Sequence, residues 1–148
     1  MSEKTYLRKV EYKDMDTLFE WANDPLVRRN SFNSDPITYE DHQKWFDSMM
    51  KDSCILPYIL MDNDVPVGQI RLKMEGDTAE ISYSIAQEYR GKGYGHSILK
   101  LVKRMTSEQY PMIKSLIARV KPSNSQSFSL FQKEGFIEQY RYYSFDIE

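Results

Sequence analysis

Hydrophobic residues recur along the chain with two periods, and the change from one period to the other predicts the order of elements. Alternation typical of strands occurs in six segments, and the spacing of three or four typical of amphipathic helices occurs in four. The predicted strands are residues 5–10, 54–61, 65–74, 78–85, 114–120 and 141–147. The predicted helices start near Asp14 and Thr38, after residue 95 and at residue 124. The order βααβββαβαβ predicts an α/β or α+β fold, with residues 1–148 as a single domain around one mixed sheet.

Local signals predict the ends and the buried sides of these helices. Asn-Asp-Pro at 23–25 ends the first helix, and Thr38 with Asp41 three residues later predicts an N-cap for the second. The apolar side of the second helix would carry His42 beside its hydrophobic residues, which are Trp45, Phe46 and Met49. The residues that the third helix would bury are Ile98, Leu101, Val102 and Met105.

Three glycines lie between a predicted strand and a predicted helix: Gly91, Gly93 and Gly95. Free backbone N–H groups and the helix dipole favour an anion at a helix N-terminus, and small residues let a phosphate approach those donors. The spacing differs from a P-loop, which has four residues between its first glycine and Gly-Lys-Ser/Thr. It also differs from the dinucleotide fingerprint, because His96 stands where the third glycine would lie. We therefore expect a phosphate-binding turn of another kind.

Composition narrows the classes of partner and of metal site. The 20 basic and 22 acidic residues leave a net charge of −2, which argues against a general binder of nucleic acid or of an anionic membrane. The polar first residues do not resemble a signal peptide, and the single cysteine, Cys54, allows no intrachain disulfide, so we expect a cytoplasmic protein. Two histidines and one cysteine argue against a closed zinc site, and we expect no metal.

Two motifs follow one another in the second half of the chain. The first is Arg90-x-x-Gly93-x-Gly95, and the second is KPSNSQSFSLFQKEGF, from Lys121 to Phe136. Together they resemble the signatures of the GNAT superfamily of N-acetyltransferases, and the predicted element order matches that family over nearly the full chain. The resemblance implies a central mixed, mostly antiparallel sheet flanked by helices. It also implies acetyl-CoA as co-substrate and direct transfer of acetyl to a primary amine.

The resemblance implies cofactor-binding roles for both motifs and for the strand before the first. Strand 78–85 would splay from 114–120, and the pantetheine arm would lie in the gap, where a backbone N–H polarises the thioester. N–H groups of the glycine loop would hold the pyrophosphate, and Asn124 would contact the pantetheine. The residues implied in cofactor binding are Ser84, Ile85, Arg90, Gly91, Gly93, Tyr94, Gly95, His96, Asn124 and Ser127.

Acetyl transfer needs a base that removes a proton from the acceptor ammonium. Glu80, early on the splayed strand where family members often carry a glutamate, is the candidate, and His42 on the facing helix is the alternative. A carboxylate that only keeps the strand edge polar is an equal interpretation of Glu80. Phe131 stands where many relatives have a tyrosine that protonates the leaving thiolate. The acid is therefore unassigned, with Ser127, a tyrosine of another element, or an unprotonated thiolate as the alternatives.

Aromatic and polar residues of the N-terminal third form a further pattern, whose predicted substrate-binding members are Trp21, Asn23, Arg28, His42 and Trp45. The pattern resembles the acetyltransferases that modify the 4-amino group of UDP-linked sugars in nonulosonic acid and surface-glycan pathways. The expected partner is therefore a sugar nucleotide, with aromatic rings stacked on it and Arg28 on a phosphate. His42 and Trp45 also fit a helix core, and Arg28 also fits a solvated surface.

Other functions and assemblies stay open at this point. Acetyltransferases of protein N-termini or of ribosomal proteins share much of the N-terminal pattern, although they would need an acidic groove for a peptide. A non-catalytic member that only binds CoA is a second alternative, which the phenylalanine at position 131 keeps open. The sequence allows a monomer or a homodimer.

Overall fold

A computed structural model describes residues 4–147 of the chain. Five strands form one sheet in this part of the chain, and they are β1 (Thr5–Lys9), β2 (Ile55–Asp62), β3 (Val65–Glu75), β4 (Thr78–Ile85) and β5 (Ser115–Ile117). The helices that flank the sheet are α1 (Met15–Ala22), α2 (Pro25–Asn30), α3 (Tyr39–Lys51), α4 (Tyr94–Gln109) and α5 (Ser125–Lys133). Short 3-10 turns, Tyr12–Asp14 and Gln87–Tyr89, precede α1 and the glycine cluster.

The strands lie in chain order in the sheet, and only the last pair runs parallel. The pairs β1–β2, β2–β3 and β3–β4 are antiparallel, whereas β4 and β5 are parallel. That parallel pairing is limited to Thr78–Glu80 against Ser115–Ile117. The rest of β4, residues 81–85, has no strand neighbour on this side among residues 4–147. The sheet therefore opens into a gap, as expected from the resemblance.

The two faces of the sheet carry different cores. On one face, α4 packs on the apolar residues of β2, β3 and β4; the buried side chains of this core include Leu60, Ile70, Leu72, Ile81, Ile98, Leu99 and Val102. On the other face, α1 and α3 cover β1 and β2; this smaller core comprises Val10, Leu18, Phe46, Met49, Ile59 and Met61. The polar residues that β3 and β4 present on the same face, Gln69, Arg71, Ser82 and Ser84, are not part of this smaller core.

Several helix ends follow local rules. The Thr38 hydroxyl accepts from the Asp41 N–H at 3.1 Å, as the sequence predicts for the start of α3. Asp24 caps α2 by accepting from the N–H groups of Leu26 and Val27, and Pro25 occupies the first turn. The sequence predicts only the end of a helix at Asn-Asp-Pro, and α2 was therefore not predicted. The Asp-Pro pair is nevertheless a local signal for a helix start.

The predicted closing strand, 141–147, is wrong. This segment is irregular and exposed, with Tyr142, Tyr143, Phe145 and Ile147 each more than 80% accessible. Strand β5 is also shorter than predicted, since residues 118–120 leave the sheet. An alternating sequence becomes a strand only when a neighbouring edge takes up its hydrogen bonds. The sequence pattern does not reveal whether that edge exists.

Candidate active site

A cleft of about 1160 Å³ opens where β4 and β5 diverge. Its lining includes the glycine cluster at one end, β4 and the start of α5 in the middle, and α1, α2 and α3 at the other end. Most of the site residues predicted from sequence line this one cleft; they are Trp21, Arg28, His42, Trp45, Glu80, Ser84, Ile85, Arg90, Gly91, Gly93, Tyr94, Gly95, His96, Asn124 and Ser127. Asn23 lines a smaller adjoining pocket.

The open edge of β4 presents the backbone of two residues to the cleft. The Ala86 N–H donates to the Val67 carbonyl at 2.8 Å, so the polar groups of Ala86 face β3. Because these groups alternate along an antiparallel strand, those of Ser84 also face β3, while those of Tyr83 and Ile85 face the open edge. The Arg90 Nε donates to the Ile85 carbonyl from that side at 3.0 Å. The Ile85 N–H therefore faces the cleft rather than β3.

The glycine loop exposes the first N–H groups of α4. Gly91 and Gly93 have φ values of +78° and +87°, a conformation that other residues rarely adopt. Gly93 is the N-cap of α4, and no side chain caps the helix at that position. The N–H groups of Tyr94, Gly95 and His96 therefore have no partner within the helix and can bind an anion.

Gly95 is small for a different reason. A β-carbon at Gly95 would lie 2.8 Å from the Cδ2 atom of Leu130, so the glycine lets α4 and α5 approach closely. At Gly91 and Gly93, by contrast, a β-carbon would meet nothing within 4 Å, and only the positive φ favours glycine. The three glycines that look alike in the sequence thus serve two purposes.

Arg90 links the glycine loop to α2. Its guanidinium donates to the Asp24 carboxylate at 3.0 Å as well as to the Ile85 carbonyl. Burial opposes the ionised form of Asp24, but hydrogen bonds from Arg90 and from the N–H groups of Val27 and Leu26 outweigh it and lower the pKa of Asp24. The Arg90 guanidinium thereby fixes the loop and the first turn of α2 relative to each other.

The second motif brings the Ser127 hydroxyl beside the hydroxyl of Tyr83 on β4. The Asn124 Oδ1 atom accepts from the Ser127 N–H at 3.2 Å and caps α5. The Ser127 hydroxyl lies 3.0 Å from the Tyr83 hydroxyl, and the Tyr83 ring packs edge-on against Phe131. Burial raises the pKa of Tyr83, so its hydroxyl stays protonated at neutral pH. A phenol thus lies beside Phe131, although position 131 itself has no hydroxyl.

Glu80, the candidate base, forms an ion pair. Its two carboxylate oxygens accept from Arg119 at 2.7 and 3.2 Å. The Arg119 side chain is 66% exposed, and ion pairs this accessible contribute little free energy. An acceptor that enters the cleft can therefore displace the guanidinium at small cost.

His42, the alternative base, is a buried neutral imidazole. It is 2% exposed and packs between Phe19, Trp45 and Phe46. Burial lowers the pKa of His42, although the bond to Met15 opposes the shift. Its Nε2 atom lies 2.9 Å from the Met15 carbonyl, which can only accept, so Nε2 carries the proton and Nδ1 carries the lone pair.

Two residues that the sequence predicts to bind the acceptor have side chains that are hydrogen-bonded to other parts of the chain. The Asn23 side chain donates to the Ile37 carbonyl and accepts from the Ile37 N–H. Arg28 donates to the carbonyls of Ala22, Asn33 and Asp35 and to the Ser31 hydroxyl. Most of the donors of the Arg28 guanidinium are therefore occupied, which argues against its grip on a phosphate.

Four polar residues of β3 and β4 line the cleft next to α3 and were not predicted from the sequence. This polar stripe consists of Gln69, Arg71, Ser82 and Ser84. Gln69 and Arg71 on β3 lie opposite Ser84 and Ser82 on β4 and therefore share one face. The Gln69 amide donates to the Ser84 hydroxyl at 3.1 Å, and the Arg71 guanidinium lies 5.0 Å from the centre of the Trp45 ring. The alternation of polar residues in GQIRLK was the available signal, but it equally fits a strand facing solvent.

Residues 4–147 hold no group of three or more metal-binding side chains close enough to share an ion. No helix in the same part of the chain is long and apolar enough to span a membrane.

Comparison with known proteins gives the family to which this fold and this cleft belong. A family model described as an acetyltransferase (GNAT) domain matches residues 4–137. The chain therefore belongs to the GNAT family, and it is an acetyl-CoA-dependent N-acetyltransferase, of a kind that needs no metal.

Relatives and solved structures agree with this family. The chain is 29% identical to an uncharacterized N-acetyltransferase of Bacillus licheniformis, over 94% of this chain and 85% of the relative. It is 28% identical to a putative phosphinothricin acetyltransferase of Bacillus subtilis, over 89% and 83% of the two chains. Spermidine N-acetyltransferase from Vibrio cholerae, solved with CoA and spermine, has a similar fold, with a TM-score of 0.85, 17% identity, and 93% and 83% of the two chains covered. The aminoglycoside acetyltransferase AAC(6')-Ib with CoA and kanamycin also has this fold, with a TM-score of 0.79, 22% identity, and coverage of 91% and 85%.

Proposed function

We propose that this acetyltransferase transfers acetyl to the 4-amino group of a UDP-linked amino sugar. The observation that carries the proposal is the character of the acceptor end of the cleft, where the exposed Trp45 ring lies beside the Arg71 guanidinium. An aromatic face suits a sugar ring or uracil, and a cation suits a phosphate. The same features disfavour a polycation such as spermine or kanamycin, the ligands of the solved neighbours.

In this proposal acetyl-CoA occupies the other end of the cleft. The N–H groups of Tyr94, Gly95 and His96 bind its pyrophosphate, and the pantetheine arm runs along the open edge of β4 towards Asn124. The Ile85 N–H donates to the thioester carbonyl and stabilises the oxyanion that forms when the amine attacks. The amine and the thioester meet between this edge and the polar stripe, so positioning lowers the barrier.

Two proton movements complete the transfer. Glu80 removes the proton of the acceptor ammonium through a water once its ion pair with Arg119 opens, and His42 is the alternative base. The Tyr83 hydroxyl, supported by Ser127, gives its proton to the departing CoA sulfur and regains a proton from solvent after CoA leaves. The hydroxyl pair thereby replaces the acid that Phe131 cannot supply.

The partner in this proposal is a small-molecule acceptor, and the protein acts in the cytoplasm, with a reduced Cys54. A relative whose name refers to phosphinothricin, an amine with anionic groups, fits an anionic acceptor as well. Neither a nucleic acid nor a membrane is a partner in this proposal.

The experiment is a thiol-release assay with acetyl-CoA and a panel of acceptors: UDP-linked 4-amino sugars, phosphinothricin, spermidine, kanamycin and peptides with free N-termini. We expect the highest kcat/KM with a UDP-amino sugar. Turnover of peptides alone would favour the protein N-terminal acetyltransferases, and turnover of spermidine or kanamycin alone would contradict an anionic acceptor. CoA binding without turnover of any amine would indicate a non-catalytic member.

A further inference from the structure

Arg71 differs from two other arginines that line the cleft, Arg90 and Arg119, and from Arg28, whose donors are mostly taken by backbone carbonyls. The Arg90 and Arg119 guanidiniums each bind a carboxylate, Asp24 and Glu80 respectively. Arg71 has no carboxylate within 4.0 Å among residues 4–147, and its guanidinium donates to the neutral Gln69 amide oxygen at 3.3 Å. The charge of Arg71 is therefore uncompensated.

The surroundings of Arg71 make that charge costly. Burial, together with the positive charge of Arg28, lowers the pKa of Arg71 to about 10. The Trp45 ring, whose centre lies 5.0 Å from the guanidinium carbon, covers the cation without neutralising it. A cation withdrawn from water and facing a second cation is unfavourable unless an anion joins it.

We propose that Arg71 anchors an oxyanion of the acceptor, a phosphate or a carboxylate, and that Trp45 shields this contact from water. The proposal rests on the proposed acetyl transfer and specifies its substrate class. Arg28 then has a positioning role, because it holds the segment from Ser31 to Asp35 and adds positive potential to the anchor.

The strand register sets the distance between the anion and the amine. Arg71 lies opposite Ser82, three residues before Ile85, whose N–H faces the thioester. Three residues of a strand span roughly 10 Å, at about 3.3 Å per residue. An acceptor that reaches both groups therefore carries its anion roughly 10 Å from its amine. A sugar between an amino group and a phosphate meets this requirement, whereas glycine is too short.

The test compares amines that differ in an anion alone, with binding measured separately from turnover. Glucosamine 6-phosphate and glucosamine are assayed by thiol release with wild type, Arg71→Gln and Arg71→Lys. UDP, which has phosphates and no amine, is titrated by calorimetry into the same proteins. Lys73→Gln is the matched control, since Lys73 lies two residues along the same face of β3, is exposed and does not line the cleft. Thermal unfolding confirms that each variant is folded.

We expect Arg71→Gln to weaken UDP binding by about tenfold to a hundredfold. The KM for glucosamine 6-phosphate should rise similarly, with the KM values for glucosamine and for acetyl-CoA changed less than about threefold. Arg71→Lys should retain part of the preference for glucosamine 6-phosphate over glucosamine, and Lys73→Gln should retain all of it.

Equal effects on the two sugars, or equal UDP binding by wild type and Arg71→Gln, would overturn the anchor. Absence of UDP binding to wild type would overturn it as well. If no amine is acetylated but UDP binding depends on Arg71, the anchor stands and the proposed transfer fails.

Discussion

The face of the sheet that meets α1, α2 and α3 has two halves with opposite character. Over β1 and β2, the helices bury an apolar cluster around Phe46 and Ile59, both fully inaccessible. Over β3 and β4, the same face carries Gln69 and Arg71 and borders the cleft. The half over β1 and β2, here called the closed half, stabilises the fold, and the half over β3 and β4, called the open half, lines the cleft.

Substitutions in the closed half should change the free energy of unfolding most. Phe46→Ala removes a fully buried ring and should lower the free energy of unfolding by about 3–5 kcal/mol. Arg71→Gln, in the open half, should change it by less than about 1 kcal/mol, because the loss of a shielded but uncompensated charge costs little. Urea unfolding measures both. Similar losses in the two variants would show that the halves do not differ as described.

Substitutions in the open half should change the turnover rate most. Glu80→Gln keeps the shape of the side chain and removes its basicity, so kcat should fall by about 10²- to 10⁴-fold with acetyl-CoA affinity unchanged. Arg119→Gln, which frees the carboxylate, is the matched control and should retain activity. If Glu80→Gln is as active as wild type while His42→Ala loses turnover, the base is His42.

A smaller effect is expected from the hydroxyl pair at the open edge of β4. Tyr83→Phe keeps the contact with Phe131 and removes the hydroxyl that lies near Ser127. The lost hydrogen bond to the CoA sulfur should reduce kcat by about tenfold, with KM for acetyl-CoA nearly constant. Steady-state kinetics at saturating acceptor measure this effect. An unchanged kcat would mean that the thiolate leaves without help from this hydroxyl.

The smallest expected effect is on the pH dependence of stability, through His42 in the closed half. Burial holds the pKa of His42 below the ordinary value of 6.5, so the unfolded chain binds this proton more readily than the folded protein. Stability should therefore fall as the pH drops below about 6.5. His42→Gln should weaken this dependence between pH 7 and 5.5, as measured by thermal unfolding. An identical pH profile in the variant would exclude His42 as its source.

Features that depend on neighbouring residues could be predicted from the sequence. Strand β4 has the predicted bounds of residues 78–85, and Thr38 caps α3 as predicted, because alternation and capping are local properties. The family's two motifs also located the open edge of β4, since the glycine cluster and Asn124 lie on either side of it in the cleft.

Features that depend on distant parts of the chain could not be predicted in the same way. Whether the alternating polar side of β3 faces solvent or a cleft depends on where α1 and α3 pack, so Arg71 was missed. The contacts of Arg28 are a second example, because its sequence context does not show that carbonyls of residues 33 and 35 accept from its guanidinium. The predicted closing strand, residues 141–147, is wrong for a similar reason, because its pattern does not show whether the sheet offers an unpaired edge strand beside it.

The central claim is that two ligands occupy the two ends of one cleft, acetyl-CoA at the glycine loop and an anionic acceptor at the polar stripe. The most direct measurement is a pair of calorimetric titrations, acetyl-CoA and UDP, into wild type, Gly93→Val and Arg71→Gln. A β-branched residue at the positive φ of Gly93 distorts the loop and should weaken acetyl-CoA binding by at least about tenfold while UDP binding persists. Arg71→Gln should weaken UDP binding while acetyl-CoA binding persists. If folded Gly93→Val binds acetyl-CoA as wild type does, or if each substitution weakens both ligands equally, the account of two separate ends is contradicted.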